Sequence, residues 1–364
     1  MIGVTEAFSS TYAEARRKFL HACVTVDLKV ETHAHPLKGI DGEDLAMDVA
    51  YDGPADAKQL LIVTSACHGI EGYCGSGVQV FALHDAEWRD KAREAGVGVL
   101  YVHALNPHGF SHGRRVTQEN VDLNRNFLDF SQPAPVNAAY AKLHALLLPD
   151  EWPPSSKNQA EVAAWIDEHG AIAYQAAITG GQYQFDDGLF FGGTAPTWSN
   201  RTYRHVLRTH GTGVQQLAWI DLHTGLGPNG LGERIFACRD DKAAYARANA
   251  WWGTPEAPVT SIYDGSSSSA FLTGLMWSAM YDECPQAEYT AIALEYGTLP
   301  IMDMMGSLRA DHWRHKHPEA PAELADAIRA QIRNAFYTET DAWKGQIISQ
   351  ARQAMFQAVD GLTS

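Results

Sequence analysis

The chain is short of basic residues: Lys and Arg number 28 against 43 Asp and Glu, for a formal net charge of −15. Phosphate binding draws on a concentrated basic surface, so this balance argues against nucleic acid as a partner, and against an anionic membrane surface too. No uncharged apolar stretch approaches the ~20 residues needed to span a bilayer. The opening residues, Ile2-Gly3-Val4-Thr5-Glu6-Ala7, lack a basic segment followed by an apolar run, so no secretory leader is expected. Cysteine is scarce as well, with five residues at 23, 67, 74, 238 and 284 and no Cys-x-x-Cys spacing. That usage predicts reduced thiols, argues against a disulfide-stapled secreted scaffold, and sets a cytoplasmic expectation. There is no internal repeat, and the one low-complexity tract is Ser266–Ser269.

Two catalytic devices are also missing. The glycine-rich stretch from Gly69 to Gly77 has no Gly-Lys-Ser/Thr ending, and its Glu71 would repel phosphate. These glycines are read as room for the backbone around a metal. Gly265–Ser269 lacks a Gly-x-Ser-x-Gly elbow, which leaves it a flexible rim loop.

What is present is enough apolar residue, 45% of 364, to bury a large core in a single α/β domain spanning 1–364. Helical spacing is expected over Phe8–Val24, Ser76–His84 and on to Ala95, Asn137–Leu148, Gln159–Gly170 and Thr197–Thr209, and over 322–361. A hairpin is expected from Asp27 to Tyr51. Strands are expected at Leu60–Ser65, Val97–His103, Leu217–Leu222, Arg234–Cys238, Val259–Ile262 and Ala291–Glu295, with a long loop from Asn106 to Asp129. Strands alternating with helices predict a mostly parallel mixed sheet covered on both faces.

Chemistry collects where those strands end. Cys67-His68-Gly69-Ile70-Glu71 follows an apolar run, and a His and a carboxylate three residues apart can close on one divalent cation. A third ligand is available at Trp219-Ile220-Asp221-Leu222-His223, again at a strand end, where open α/β sheets build their sites. Alternation turns the Cys67 thiol away from such a metal. Arg114, Arg115, Asn124 and Arg125 offer an anion-binding wall, because a guanidinium fork matches a carboxylate; the bland reading pairs these cations with Glu119, Asp122 and Asp129. Ala291-Ile292-Ala293-Leu294-Glu295 delivers a carboxylate suited to general-base work, or one that simply faces solvent.

Taken together, His68-x-x-Glu71, Asn106-Pro-x-Gly109, Val121-Asp-Leu-Asn124-Arg125-Asn-Phe127, His223 and Glu295 resemble the zinc carboxypeptidase superfamily. That superfamily spans carboxypeptidase A-like peptidases and the aspartoacylase and succinylglutamate desuccinylase branch. The resemblance covers residues 68 to 295, and the long insertion at about 132–213 is similar to that of a bacterial branch. It implies one Zn2+ per chain on His68, Glu71 and His223, with Glu295 as the base that activates water. It further implies an oxyanion-stabilising Arg115, with Arg114 as the alternative, and a substrate carboxylate gripped by Asn124 and Arg125. Tyr263 is a candidate for the superfamily's mobile substrate-binding tyrosine.

The implied reaction is hydrolysis of an amide in a small peptide. An N-acyl amino acid with a free carboxylate is the alternative substrate, and a carboxylate-binding protein without catalysis is a third reading. His103, His108 and His112 leave a two-metal site open, and ten Trp could serve a core or a homo-oligomer interface.

Overall fold

The computed structural model describes residues 2–364, so the first residue of the expected 1–364 domain lies outside it. Eight strands form one sheet: β1 (Val30–Lys38), β2 (Asp44–Asp52), β3 (Gln59–Thr64), β4 (Gly98–His103), β5 (Gln216–Asn229), β6 (Gly232–Phe236), β7 (Thr260–Ser261) and β8 (Glu288–Gly297). Their order is β1-β2-β4-β3-β5-β8-β6-β7. The central pairings β4–β3, β3–β5 and β5–β8 are parallel, as is β6–β7 at one edge; β1–β2, β2–β4 and β8–β6 are antiparallel. The expected mixed α/β sheet is therefore present, with the parallel part at its centre.

The central strands read as near-continuous apolar runs because both their faces are covered. Leu60–Val63 and Tyr289–Leu294 are all buried. Alternation divides the faces of β5. Leu222 faces the helix Gly72–His84, where a side chain on Gly75 would stand 3.4 Å from its Cβ. Trp219, on the opposite face, packs on Tyr203 and Trp277 at ring distances of 5.2 and 4.2 Å. Asp221 and His223 share the Trp219 face.

Several expected boundaries shift. The loop from Asn106 to Asp129 contains a helical turn, Pro107–Ser111, capped by the Asn106 side chain, and a 3₁₀ turn at Leu123–Arg125. The C-terminal helical segment is two helices, Ala322–Phe336 and Asp341–Leu362. The stretch 132–213 carries helices Ala138–Leu147, Ser156–His169, Ala171–Thr179 and Trp198–Gly211. The glycines after His68 make the expected room for backbone. A Cβ on Gly69 would lie 2.0 Å from the Gly109 carbonyl carbon, and one on Gly72 would meet the Phe110 ring. They admit the neighbouring loop that carries Arg114 and Arg115.

Candidate active site

That close approach brings the pieces together. Gly69 N–H donates to the Arg115 carbonyl (3.0 Å) and Ile70 N–H to that of Arg114 (2.8 Å), so the loop after β3 and the Arg-bearing loop run side by side. The end of β5 supplies His223 and the end of β8 supplies Glu295. These elements enclose a cavity of about 70 Å³, and His68, Glu71, Arg115, Asn124, Arg125, His223 and Glu295 all line it. Its remaining wall is mostly apolar, including Ile235, Ile262, Leu275, Trp277 and Met304.

Glu71 stands between the two imidazoles. Its Oε1 lies 2.8 Å from His68 Nδ1 and its Oε2 lies 3.0 Å from His223 Nδ1. The far nitrogens meet other carboxylates, His223 Nε2 at 2.6 Å from Asp221 Oδ2 and His68 Nε2 at 3.2 Å from Asp122 Oδ1. Resting its far nitrogen on a carboxylate orients His223 as a metal ligand through its near nitrogen, whereas the far nitrogen of His68 also meets an Arg115 N–H. With Nε2 facing Asp221, the His223 Nδ1 faces Glu71, and a cation between Nδ1 and that carboxylate would stand where a proton otherwise joins them. Two imidazoles and a carboxylate also suit zinc. His68, Glu71 and His223 therefore fit such an ion, their donor atoms lying within 4.8 Å of one another.

A second group, Cys67, Asp221 and His223, meets the same distance criterion. Asp221 is already committed, however, accepting from Thr64 Oγ1 as well as facing His223, and burial pushes the Cys67 thiol well up. Cys67 and Asp221 lie behind the site and do not line the cavity.

Electrostatics divide the two glutamates. Burial pushes both carboxyl groups up. At Glu71 the His68 and His223 imidazoles outweigh it and hold the group well below the usual carboxylate range. Glu295 has no such partner; burial, then the neighbouring Glu71 charge, push it up to about 8. The Leu226 N–H donates to Glu295 Oε1 at 3.0 Å and fixes its orientation. At His223 burial works downward, but Asp221 prevails and raises the imidazole well above its ordinary value.

The arginines differ in their surroundings. Arg115 donates from Nη1 to Glu71 (3.0 Å) and from Nε to Asp122 (3.0 Å), with Nη2 2.8 Å from His68 Nε2. Arg114 turns away to pair with Asp311 at 2.9 Å and does not line the cavity. Arg125 is buried, donating twice to the Thr179 carbonyl (3.1 and 2.6 Å) and once to that of Asn124 (2.8 Å). The Asn124 carboxamide oxygen accepts from Met276 N–H at 2.9 Å.

The other candidates lie elsewhere. His103 is buried against Phe19 and bonded to Ser76 Oγ at 2.8 Å, and His108 stacks on His112 at 3.9 Å. None of the three lines the cavity. Tyr263 donates its hydroxyl to the Cys238 carbonyl, while its neighbour Ile262 reaches the cavity.

Sequence reasoning passed over Asp122 and Asp221 as orienting groups. Asp221 was reachable, because residues two apart on a strand share a face. It also passed over Thr179 and Phe190, which the insertion brings to the cavity.

Solved structures share this architecture. Carboxypeptidase A from Helicoverpa armigera superposes with a TM-score of 0.50 at 11% identity, over 90% of this chain and 74% of that one. Bovine thrombin-activatable fibrinolysis inhibitor, solved with a tick carboxypeptidase inhibitor, gives 0.51 at 11% identity over 98% of each chain. Likeness at that identity establishes the carboxypeptidase-like fold. No curated protein matches the sequence. A family model described as "Protein of unknown function (DUF2817)" matches residues 8–350.

Proposed function

The chain belongs to the DUF2817 family, and on that premise we propose that it is a zinc-dependent, carboxypeptidase-like metallohydrolase cleaving an amide bond next to a substrate carboxylate. The observation that carries this reading is the convergence, on one buried cavity, of a two-histidine, one-carboxylate donor set, an unpaired glutamate and two arginines. His68, Glu71 and His223 would hold the metal. A zinc ion so held supplies Lewis-acid polarisation of the scissile carbonyl and a lowered pKa for water.

The protein's own groups do the rest. Glu295, oriented by the Leu226 N–H, takes a proton from the attacking water on a carboxylate oxygen. It then gives that proton to the departing amine nitrogen as the carbon–nitrogen bond breaks. Arg115 supplies donors to the oxygen on which negative charge develops. Asn124 and Arg125 hold the substrate's carboxylate at one end, and the apolar wall excludes water around the group beside it.

Deacylation of N-acyl amino acids is the second reading, favoured by the small space between the mostly apolar walls, a cavity of about 70 Å³ that suits a small substrate. The test combines elemental analysis of wild type and His223→Ala with turnover of a panel of peptides and N-acyl amino acids. About one zinc per chain, lost on substitution, with release of C-terminal residues supports the peptidase; cleavage of acyl amino acids moves the reading to the deacylase. Folded wild type that takes up no zinc when supplied with it overturns both.

A further inference from the structure

Phe190 has a backbone conformation that its side chain disfavours. Its φ is 52°, in the left-handed region, where a bulky residue is rare and persists only when its surroundings over-determine it. Here they do. Gln182 N–H donates to the Phe190 carbonyl (3.1 Å), Gly192 N–H to that of Gln182 (2.8 Å) and Asp122 N–H to that of Phe191 (2.8 Å). Gln182 Nε2 also donates to the Leu189 carbonyl at 3.3 Å. The result is a ring only 4% exposed that lines the cavity with both guanidinium groups against it, Arg115 at 5.1 Å from its centroid and Arg125 at 5.6 Å.

We infer that Phe190 is a specificity-determining residue, the wall at the carboxylate end of the cavity that makes the site accept a free terminal carboxylate and reject its amide. This rests on the proposed function for the orientation of the substrate. One aromatic ring serves both cations, holding them in place and keeping water from them. A carboxylate arriving there meets the buried charge of Arg125, whereas Arg115 on the same ring is already held by Glu71 and Asp122. A carboxamide brings N–H donors against N–H donors, and with water excluded none of them finds a partner. Sites built this way discriminate strongly, because the penalty is an unpaired buried group. Without the ring, water reaches the guanidiniums, satisfies the orphaned donors of a bound amide and weakens the pull on a bound carboxylate. Discrimination then falls from both sides.

Calorimetric titration of the zinc-loaded protein with N-acetyl-phenylalanine and N-acetyl-phenylalaninamide tests this without requiring turnover. Wild type is expected to bind the acid and to reject the amide. Phe190→Ala is expected to narrow the ratio of the two affinities by about tenfold or more. Phe190→Leu keeps bulk but loses the aromatic face, so it should weaken acid binding several-fold while still rejecting the amide; it also carries the test if the alanine variant does not fold. An unchanged ratio in a folded variant overturns the inference, as does a wild type that binds both probes equally. Failure of the proposed function reads differently, as a wild type that binds the acid selectively yet turns nothing over.

Discussion

His223 and Glu295 are register partners on the parallel strands β5 and β8, so that backbone hydrogen bonds of the sheet fix one candidate metal ligand opposite the candidate base. Their side chains need no loop to bring them together, and the cavity walls follow the same register, with Ala293 two residues before Glu295 on the same face. Precision in such a site comes from the sheet, and mobility is left to the loops that receive substrate.

Separating metal binding from proton transfer is the first expectation. Glu295→Gln should lower kcat by about 10²- to 10⁴-fold, the usual worth of a positioned general base, and leave zinc content unchanged. His223→Ala should lose both. Elemental analysis beside steady-state kinetics reads the two effects, and loss of zinc from Glu295→Gln would remove it from the role of base.

Stability of the metal-free protein should depend on pH through the same residue. The Glu295 carboxyl, ordinarily near 4.5, is pushed up to about 8 by burial and then by Glu71. The unfolded chain releases this proton above about 4.5 while the folded chain keeps it, so the contribution of neutral Glu295 is complete below about 4.5 and is lost as pH rises through about 8. Glu295→Gln is neutral throughout. Its Tm in chelator should pull ahead of wild type between about pH 5 and pH 8 and gain nothing further above. A constant difference across that window would contradict the assignment.

Asp221 would act on a bound metal through His223. Its carboxylate, 2.6 Å from Nε2, sets which nitrogen of the ring is left to coordinate. Asp221→Asn should weaken zinc affinity by about 10- to 100-fold in competition with a chromophoric chelator. Affinity equal to wild type would show that the ring is held by packing alone.

The adjacent arginines should fail in different ways. Arg114 is buried in an ion pair with Asp311, so Arg114→Ala leaves that buried carboxylate with Arg314 alone and should cost about 1–3 kcal/mol of stability. Arg115→Ala should lower kcat by about 10²- to 10³-fold, as expected for loss of an oxyanion donor. Thermal melts and kinetics on both variants distinguish them; a large kcat loss from Arg114→Ala at full folding would reverse the roles.

The strand ends were legible because a buried strand that stops at His223 or Glu295 leaves a pattern in residue type alone. Gly69 was legible as room for backbone but its partner was not, since Gly109 lies forty residues away and contact at that separation leaves no local trace. The helix Ile301–Lys316 was missed: its sequence mixes Gly306, charged residues and three histidine or tryptophan positions, and its order comes from packing. Phe190 was beyond reach for a related reason. Nothing in Leu189-Phe190-Phe191 announces a left-handed backbone, which the bonds to Gln182 and Asp122 impose.

The carboxamide of Asn126 donates to the carbonyls of Gly192 (2.8 Å) and Ala195 (3.0 Å) and accepts from Thr197 N–H (2.9 Å). One side chain next to Arg125 is thereby stitched to three points of the long insertion. The insertion is consequently no ornament that could be trimmed to reach a minimal catalytic core. Sequence drift in its surface helices can be absorbed, whereas drift at the stitched loops alters which molecules the site admits, so that new specificities in this lineage would arise there while the metal and the base stay as they are.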